Sequence, residues 1–302
     1  MTARRNRGLV IVGGGPAGVA AAVEARRAGL QTCLVEQRSA LHAPRRLLAE
    51  FEASGTEALL ETAAWGIWGH DLALCESGAR SSLLGFDHLI IATGSFERAV
   101  PFGWQPEDRL ARLAGCDFTG SAYIDPWTTR DAWMRTCVSG VLVAGDAGGI
   151  VGEPAALDQG RLAGLAAAVD AGSVHADQAQ RRARPIQRRL SQVPRRERPP
   201  DGLLAVADSD TVICPCEGVT AGQLTERLFP GTVEPAGVIA ETRATMGVCQ
   251  GRQCATLVAV TIARHAGVAL DDIPPITPRP PVVPIPLGAI AERPPVFLSA
   301  AR

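Results

Sequence analysis

Residues 10–36, "VIVGGGPAGVAAAVEARRAGLQTCLVE", decide the fold. A β-branched run enters three glycines, an alanine-rich helical stretch ends at Gly29, and a second strand, "QTCLVE", closes at Glu36. This is a βαβ unit. The spacing Gly13-x-Gly15-x-x-Gly18 falls in its strand-to-helix turn. There the first glycine permits the tight turn, the second lets a pyrophosphate approach the backbone, and the third lets helix and strand pack closely. The helix N-terminus then faces the phosphates, and Glu36, eighteen residues beyond Gly18, can accept hydrogen bonds from the adenosine ribose. Such a glycine pattern alone is weak evidence; here strand, helix, second strand and acid are all in place around it.

Working outward, "LLAEFEASGTEALLETAAWGIWG" (47–69) repeats helix then strand, and "HLIIATGS" (88–95) is another buried strand. "GVLVAGDAGG" (140–149) is a last strand before the helical "EPAALDQGRLAGLAAAVDAG" (153–172). Residues 1–180 therefore read as one α/β dinucleotide-binding domain. Residues 181–202 form an Arg/Pro-rich linker, with eight arginines and one acid in 181–198. A small domain over 203–272 follows, with helical stretches "TAGQLTERLF" and "ATLVAVTIARHAG". The tail 273–302 holds nine prolines among aliphatic residues, so it should be extended, lie against a surface and offer a low-entropy docking segment to a partner.

A chain of 302 residues with 46% hydrophobic and 20% charged residues reads as an ordinary globular protein, and a formal net charge of -1 calls for neither nucleic acid nor an anionic membrane. All 30 basic residues are arginine, which excludes lysine Schiff bases and a P-loop lysine. The arginine run lacks aromatic interleaving and reads as a solvated helix and linker. The apolar run before the first glycines is too short for an export signal, and no window approaches a membrane span, so the expectation is a cytoplasmic protein with reduced thiols. None of the five histidines, His42, His70, His88, His175 and His265, lies in a motif, and no catalytic base is expected.

Four of the eight cysteines are paired: Cys214-x-Cys216 in "CPCEGVT" and, after 32 residues, Cys249-x4-Cys254 in "CQGRQC". Each pair is too close for a useful disulfide loop, so metal or cluster ligation is the first reading, with a [2Fe-2S] cluster and a structural zinc both open. Thr220 and Thr245 are candidate helix caps beside them. Cys33, Cys75, Cys116 and Cys137 show no pairing and read as core or surface thiols.

"LIIATGS" and "GVLVAGDA" resemble later signatures of the two-dinucleotide-binding-domain flavoproteins, which favours FAD over NAD. The resemblance puts Thr93 and Gly94 where the chain crosses near the nucleotide, and Gly145 and Asp146 at the flavin ribityl or pyrophosphate; it adds Pro16, Ala17, Gln37 and Ala64 to the cofactor contacts. The cysteine segments resemble the small helical domain related to bacterioferritin-associated ferredoxin, with Cys214, Cys216, Cys249 and Cys254 on a [2Fe-2S] cluster. Taken in order with "ATGSFERAVPFGW" and the closing "PPVVPIPLGAI", these motifs resemble the FAD- and cluster-binding subunit of heteromeric amino-acid dehydrogenases. That group includes subunits of this type in opine oxidase, hydrogen cyanide synthase and D-hydroxyproline dehydrogenase.

The resemblance implies an electron-transfer subunit in a hetero-oligomer. Its partners would be a flavoprotein similar to D-amino-acid oxidase, which oxidises the substrate, and a small ferredoxin-like subunit. Three departures stand out. The stretch between Thr93 and the "GVLVAGD" strand is too short for the second dinucleotide domain. The segment after Glu36 is short at the flavin end, so an adenine nucleotide alone could occupy the site. Pro215 between the first two thiols removes a backbone donor. The competing class is a non-catalytic assembly subunit holding a nucleotide and a cluster or zinc; a self-sufficient NAD(P)H reductase would need the missing domain.

Overall fold

Strand β1 (Arg5–Val12) ends in Leu9, Val10, Ile11 and Val12, apolar on both faces and buried on both, the signature of an inner parallel strand. The chain continues through α1 (Pro16–Arg27), β2 (Thr32–Val35), α2 (Arg45–Ser54), β3 (Glu57–Leu59), β4 (Ala63–Trp68), β5 (Asp71–Glu76) and β6 (Arg80–Ile91). The computed structural model describes residues 5–77, 80–97, 103–193 and 207–291. The first residues of the expected small domain (203–206), linker residues 194–202, the end of the tail (292–302) and part of the "SFERAVPFGW" stretch (98–102) lie outside the described residues.

Beyond β6 come β7 (Ser95–Glu97), β8 (Trp104–Pro106), α3 (Arg109–Leu113), β9 (Phe118–Thr119), β10 (Trp127–Thr128), β11 (Val141–Val143), α4 (Glu153–Asp170) and α5 (Ala176–Leu190). The seven-stranded sheet has the order β3-β2-β1-β6-β5-β4, with β11 also on β6. β6 serves two sheets in one. Its second half runs parallel to β1 and β11, whereas Arg80–Gly85 pairs antiparallel with β5, which pairs antiparallel with β4. "DLALCE" and "SSLLGF" are buried as near-continuous runs and do not alternate, so the sequence pattern does not separate this meander from the parallel set. Between Thr93 and β11 there are two small antiparallel pairs and α3, and no second dinucleotide fold among the described residues.

One face of the sheet is covered by α1 and α4, with α2 packed on α1 and α5 on α4. α1 and α4 lie unusually close because glycine sits where they cross: a Cβ on Gly160 would run into the Ala17 carbonyl oxygen, and one on Gly164 into that of Ala21. α5 extends to Leu190, so residues 181–190, read from sequence as the start of a linker, are helical. Its arginines are spent on this packing. Arg182 pairs with buried Glu24 of α1, and Arg189 makes two bonds to buried Asp158 of α4, at 2.7 and 2.8 Å. Removing one partner strands a desolvated carboxylate. Arg182→Ala is expected to cost about 1–3 kcal/mol in urea unfolding, and Arg188→Ala on the same helix less than about 0.5 kcal/mol.

The C-terminal part contains β12 (Val212–Cys214), β13 (Val219–Thr220), α6 (Ala221–Thr225), α7 (Pro235–Thr242), α8 (Ala255–Ala266) and α9 (Leu287–Ala291). Its core packs Ile213, Leu224, Val238, Val258 and Ile262 with Tyr123 of the N-terminal part. Thr220 caps α6 in a capping box with Gln223, as its sequence position suggests. Thr245 caps nothing: it is left-handed at φ 71, and Cys254 is the N-cap of α8. α6 stops after five residues, shorter than the 220–229 stretch implied, and α7 was not anticipated; its mark is Pro235 at the first helical position.

The tail lies against the protein but is not wholly extended, since Leu287–Ala291 is a helical turn. It stitches the two parts together: the Tyr123 hydroxyl donates to Pro274 O, Gln250 Nε2 to Pro281 O at 2.6 Å, and Val282 N to Trp65 O at 2.9 Å. No helix among the described residues is long and apolar enough to cross a membrane.

Candidate functional site: a glycine turn and a thiol loop

The C-terminal ends of β1, β2, β6 and β11 bring Gly13–Gly18, Glu36, Thr93–Gly94 and Gly145–Asp146 to one edge of the parallel sheet. This edge is where α/β sheets bind nucleotides. Each glycine of the turn has a different reason to be glycine. Gly13 has φ +115, and a Cβ there would strike Ala92 O; a Cβ on Gly18 would strike Gly13 O. Gly15 has an ordinary extended backbone (φ -82, ψ -175) and nothing within 4 Å of its would-be Cβ. The space over Gly15 is therefore open. No side chain caps α1, and Pro16 lacks an N–H, so the first-turn amides behind Gly15 have no intrahelical acceptor. The residues present fit a pyrophosphate.

Glu36 accepts from Gly14 N at 2.5 Å and Arg38 N at 2.8 Å, one on each carboxylate oxygen. Its carboxylate is thereby held beside the turn, with exposed Gln37 next in the chain. Asp146 is held on the other side: Ser95 Oγ donates to Oδ2 at 3.2 Å, and Val151 N and Gly152 N donate to Oδ1 at 2.8 and 3.0 Å. Gly145 takes φ +69 in the same turn, and its N–H donates to Gln159 Oε1 at 3.0 Å. Arg130 props this turn from below, donating to Val143 O at 2.7 Å; burial pulls its guanidinium down to about 10. Ala64, on β4, packs its side chain against the core that contains Val35 and Ile91.

The second cluster of expected residues lies in the C-terminal part. Cys214 and Cys254 are fully buried, Cys249 is half-buried and Cys216 is exposed. Cys254 has its thiol pushed up, first by burial and then by the neighbouring Cys214, with Cys249 adding to it. Cys216 packs against Gly247, whose glycine leaves room for it. The loop carrying Cys249 is strained: Arg243 (φ 63), Thr245 (φ 71) and Gln250 (φ 49) are three of the five non-glycine residues with left-handed backbones among those described. Strain of this kind gathers at functional sites. Among the described residues, however, no group of three or more His, Cys, Asp or Glu side chains is arranged to hold a metal ion. The four thiols suit a cluster by chemistry and neighbourhood, without converging on one point.

An ionic cluster between the two parts was invisible to sequence reasoning. Glu107 accepts from Arg109 at 2.6 and 2.7 Å and from Arg252 Nε at 2.9 Å, although Glu107 and Arg252 are 145 residues apart. Arg109 and Arg252 line a cavity of about 500 Å³ bordered also by α3, α7 and the tail segment 275–282. In that cavity's wall Asp108, bonded twice to Arg112, has its carboxyl pushed up because burial outweighs the arginine.

Fold and turn together define the class: an α/β protein with a Rossmann-like FAD-binding sheet. Residues 8–41 match the family of FAD dependent oxidoreductases, and residues 241–293, which include Cys249 and Cys254, match the sarcosine oxidase A3 domain. The chain is similar to the A subunit of opine oxidase from Agrobacterium tumefaciens, 31% identical over 278 residues, 84% of this chain and 53% of that one. It is also similar to the HcnB subunit of hydrogen cyanide synthase from Pseudomonas protegens, 31% identical over 200 residues, 63% of this chain and 42% of that one. The chain spans about half the length of these relatives. The crystal structure of L-proline dehydrogenase from P. horikoshii superposes with a TM-score of 0.81 over 96% of this chain and 80% of that one at 18% identity, a likeness of fold.

Proposed function

We propose that the chain is the electron-transfer subunit of a heteromeric, flavin-dependent dehydrogenase of amino or imino acids, of opine, hydroxyproline or proline-like type. The observation that carries this reading is the presence, in one chain, of an open, uncapped glycine turn and four thiols gathered about one strained loop. The similarity to opine oxidase and hydrogen cyanide synthase subunits supports it. Gly13, Gly15, Pro16, Ala17 and Gly18 would hold the pyrophosphate of FAD, with Glu36 and Gln37 at the adenosine ribose, Thr93, Gly94 and Ala64 along the nucleotide, and Gly145 and Asp146 toward the ribityl chain. Cys214, Cys216, Cys249 and Cys254 would hold a [2Fe-2S] cluster in a domain spanning 203–272. When bound, these groups supply two-electron and one-electron redox chemistry respectively.

The protein's own contribution is to bind, orient and shield. α1 presents uncapped amides to phosphate, Glu36 and Asp146 are fixed by main-chain donors, and the apolar core around Cys214 and Cys254 keeps water from the inner thiols. No side chain here is assigned as a substrate base. Substrate oxidation is assigned to a partner flavoprotein similar to D-amino-acid oxidase, and a small ferredoxin-like subunit would complete the hetero-oligomer. The subunit is assigned to the cytoplasm, where its thiols would stay reduced. A second reading, in which an adenine nucleotide and a cluster or zinc are kept as structural parts of an assembly subunit, is favoured by the short segment after Glu36 and by a stretch between β6 and β11 that holds no second dinucleotide fold among its described residues.

Anaerobic mixing separates the readings. NADH or NADPH should leave the visible spectrum of the isolated subunit unchanged, because the stretch between β6 and β11 holds no second dinucleotide fold among its described residues, while the assembled complex with its amino-acid substrate should bleach it. Rapid bleaching of the isolated subunit by a nicotinamide would overturn the route. Cys249→Ser should abolish the cluster absorbance of the anaerobically purified protein. A spectrum unaltered by that change would remove Cys249 from the ligand set.

A further inference from the structure

Glu107 stands where the glycine-turn edge of the sheet and the thiol loop are joined by a continuous set of buried, charge-assisted hydrogen bonds, beside a weaker neutral link from Gln253 Nε2 to Glu97 O at 3.3 Å. On one side its main chain is pinned twice to the nucleotide edge: Thr93 Oγ1 donates to Glu107 O at 2.6 Å, and Glu107 N donates to Gly94 O at 2.9 Å. On the other side its carboxylate holds Arg252 and Arg109, and both arginines reach the thiol loop. Arg252 Nη1 donates to Cys249 O at 3.4 Å, and Arg109 Nη1 donates to Gln250 Oε1 at 3.1 Å. Gln250, left-handed at φ 49, passes the connection to the tail through Pro281 O.

The three charged side chains keep only 12 to 21% of their surface exposed. In such a setting a charge-assisted pair is stiffer and stronger than an exposed one. Gly94 lies in the turn at φ +76, and Glu107 is bonded at its amide, its carbonyl and its carboxylate. A displacement of residues 93–94 would therefore reach residues 249–252 through bonded groups.

From this geometry we infer that Glu107 is a positioning residue through which occupancy of the nucleotide edge is felt at the thiol loop. The inference rests on the nucleotide reading above. Coupling between two sites is a free energy, and it is reciprocal. Nucleotide binding should order the loop around Cys249, and whatever the thiols hold should in turn tighten the nucleotide. Isosteric Glu107→Gln keeps the shape and the main-chain bonds, but replaces an acceptor shared by two guanidinium groups with a neutral amide.

The test is hydrogen–deuterium exchange of residues 245–254 in the full chain freed of any nucleotide it carries from purification, with ADP as the probe and ADP affinity measured in parallel by calorimetry. In the parent protein saturating ADP should slow exchange in this loop at least about 5-fold, at the low end of ordinary coupling. In Glu107→Gln the slowing should vanish while ADP still binds within about 10-fold of the parent affinity. Arg252→Met should behave like Glu107→Gln, and the double variant no worse than either, because both changes cut one connection. ADP that binds without slowing exchange in the loop, or slowing that persists in Glu107→Gln, would overturn the inference and leave the nucleotide reading intact. Failure of ADP to bind the parent protein would remove the nucleotide reading, and the inference with it.

Discussion

Gly15→Val is expected to weaken ADP binding at least about 100-fold, close to 3 kcal/mol, while moving the melting temperature by no more than about 4 °C. The two halves of this expectation come from different facts. The backbone at Gly15 is extended (φ -82), where a β-branched residue is at ease, and a Cβ there meets nothing within 4 Å. The folded protein therefore tolerates the side chain. The ligand does not, because the pyrophosphate has to approach the backbone across the space that valine fills. Gly18→Val makes the contrast. Its Cβ would strike Gly13 O inside the protein, so fold and binding should be lost together. Calorimetry with ADP and a thermal melt on the two variants distinguish a glycine kept for the ligand from one kept for the chain. Unchanged ADP affinity in Gly15→Val would displace the nucleotide from this turn.

The largest loss of stability is expected at the crossing of α1 and α4. Gly164→Leu would drive a side chain into the main chain of Ala21, where nothing flexible can give way, and separating the helices would open the best-packed layer of the molecule. The cost should be about 3 kcal/mol or more, enough to leave much of the protein insoluble or unfolded. Gly237→Ala serves as the control. It lies in α7 with open space around its would-be Cβ, and should be neutral or stabilising by about 0.5–1 kcal/mol. Denaturant midpoints of the two variants should move in opposite directions. A soluble Gly164→Leu variant with the parent midpoint would show that the helices are not held this close.

These expectations divide along the line between what local sequence encodes and what only the fold brings together. The βαβ unit was legible because its signals are short-range: β-branched runs, a proline at the helix start, glycines at fixed offsets. The Gly13, Gly15, Gly18 and Glu36 set was legible for the same reason. The antiparallel meander was missed because β6 is one continuous strand, and its sequence does not mark where its partner changes from β5 to β11. α5 was half-assigned to a linker because its arginines read as solvent-facing, and only the fold supplies Glu24 and Asp158 as their buried partners. Thr245 carried the residue type of a helix cap, but the chain turns left-handed there and the helix begins ten residues later, at Ala255 behind Cys254. The Glu107–Arg109–Arg252 cluster has no local signal at all, since Glu107 and Arg252 meet only when the C-terminal part packs on the N-terminal part.

The account stands most directly on what the purified chain carries. Anaerobic purification followed by nucleotide release, iron and acid-labile sulfide analysis and a visible spectrum should give FAD near one per chain, with two irons and two sulfides and the absorbance of a [2Fe-2S] cluster. Stoichiometric zinc with no acid-labile sulfide and no flavin would contradict the electron-transfer role and leave a structural subunit in its place.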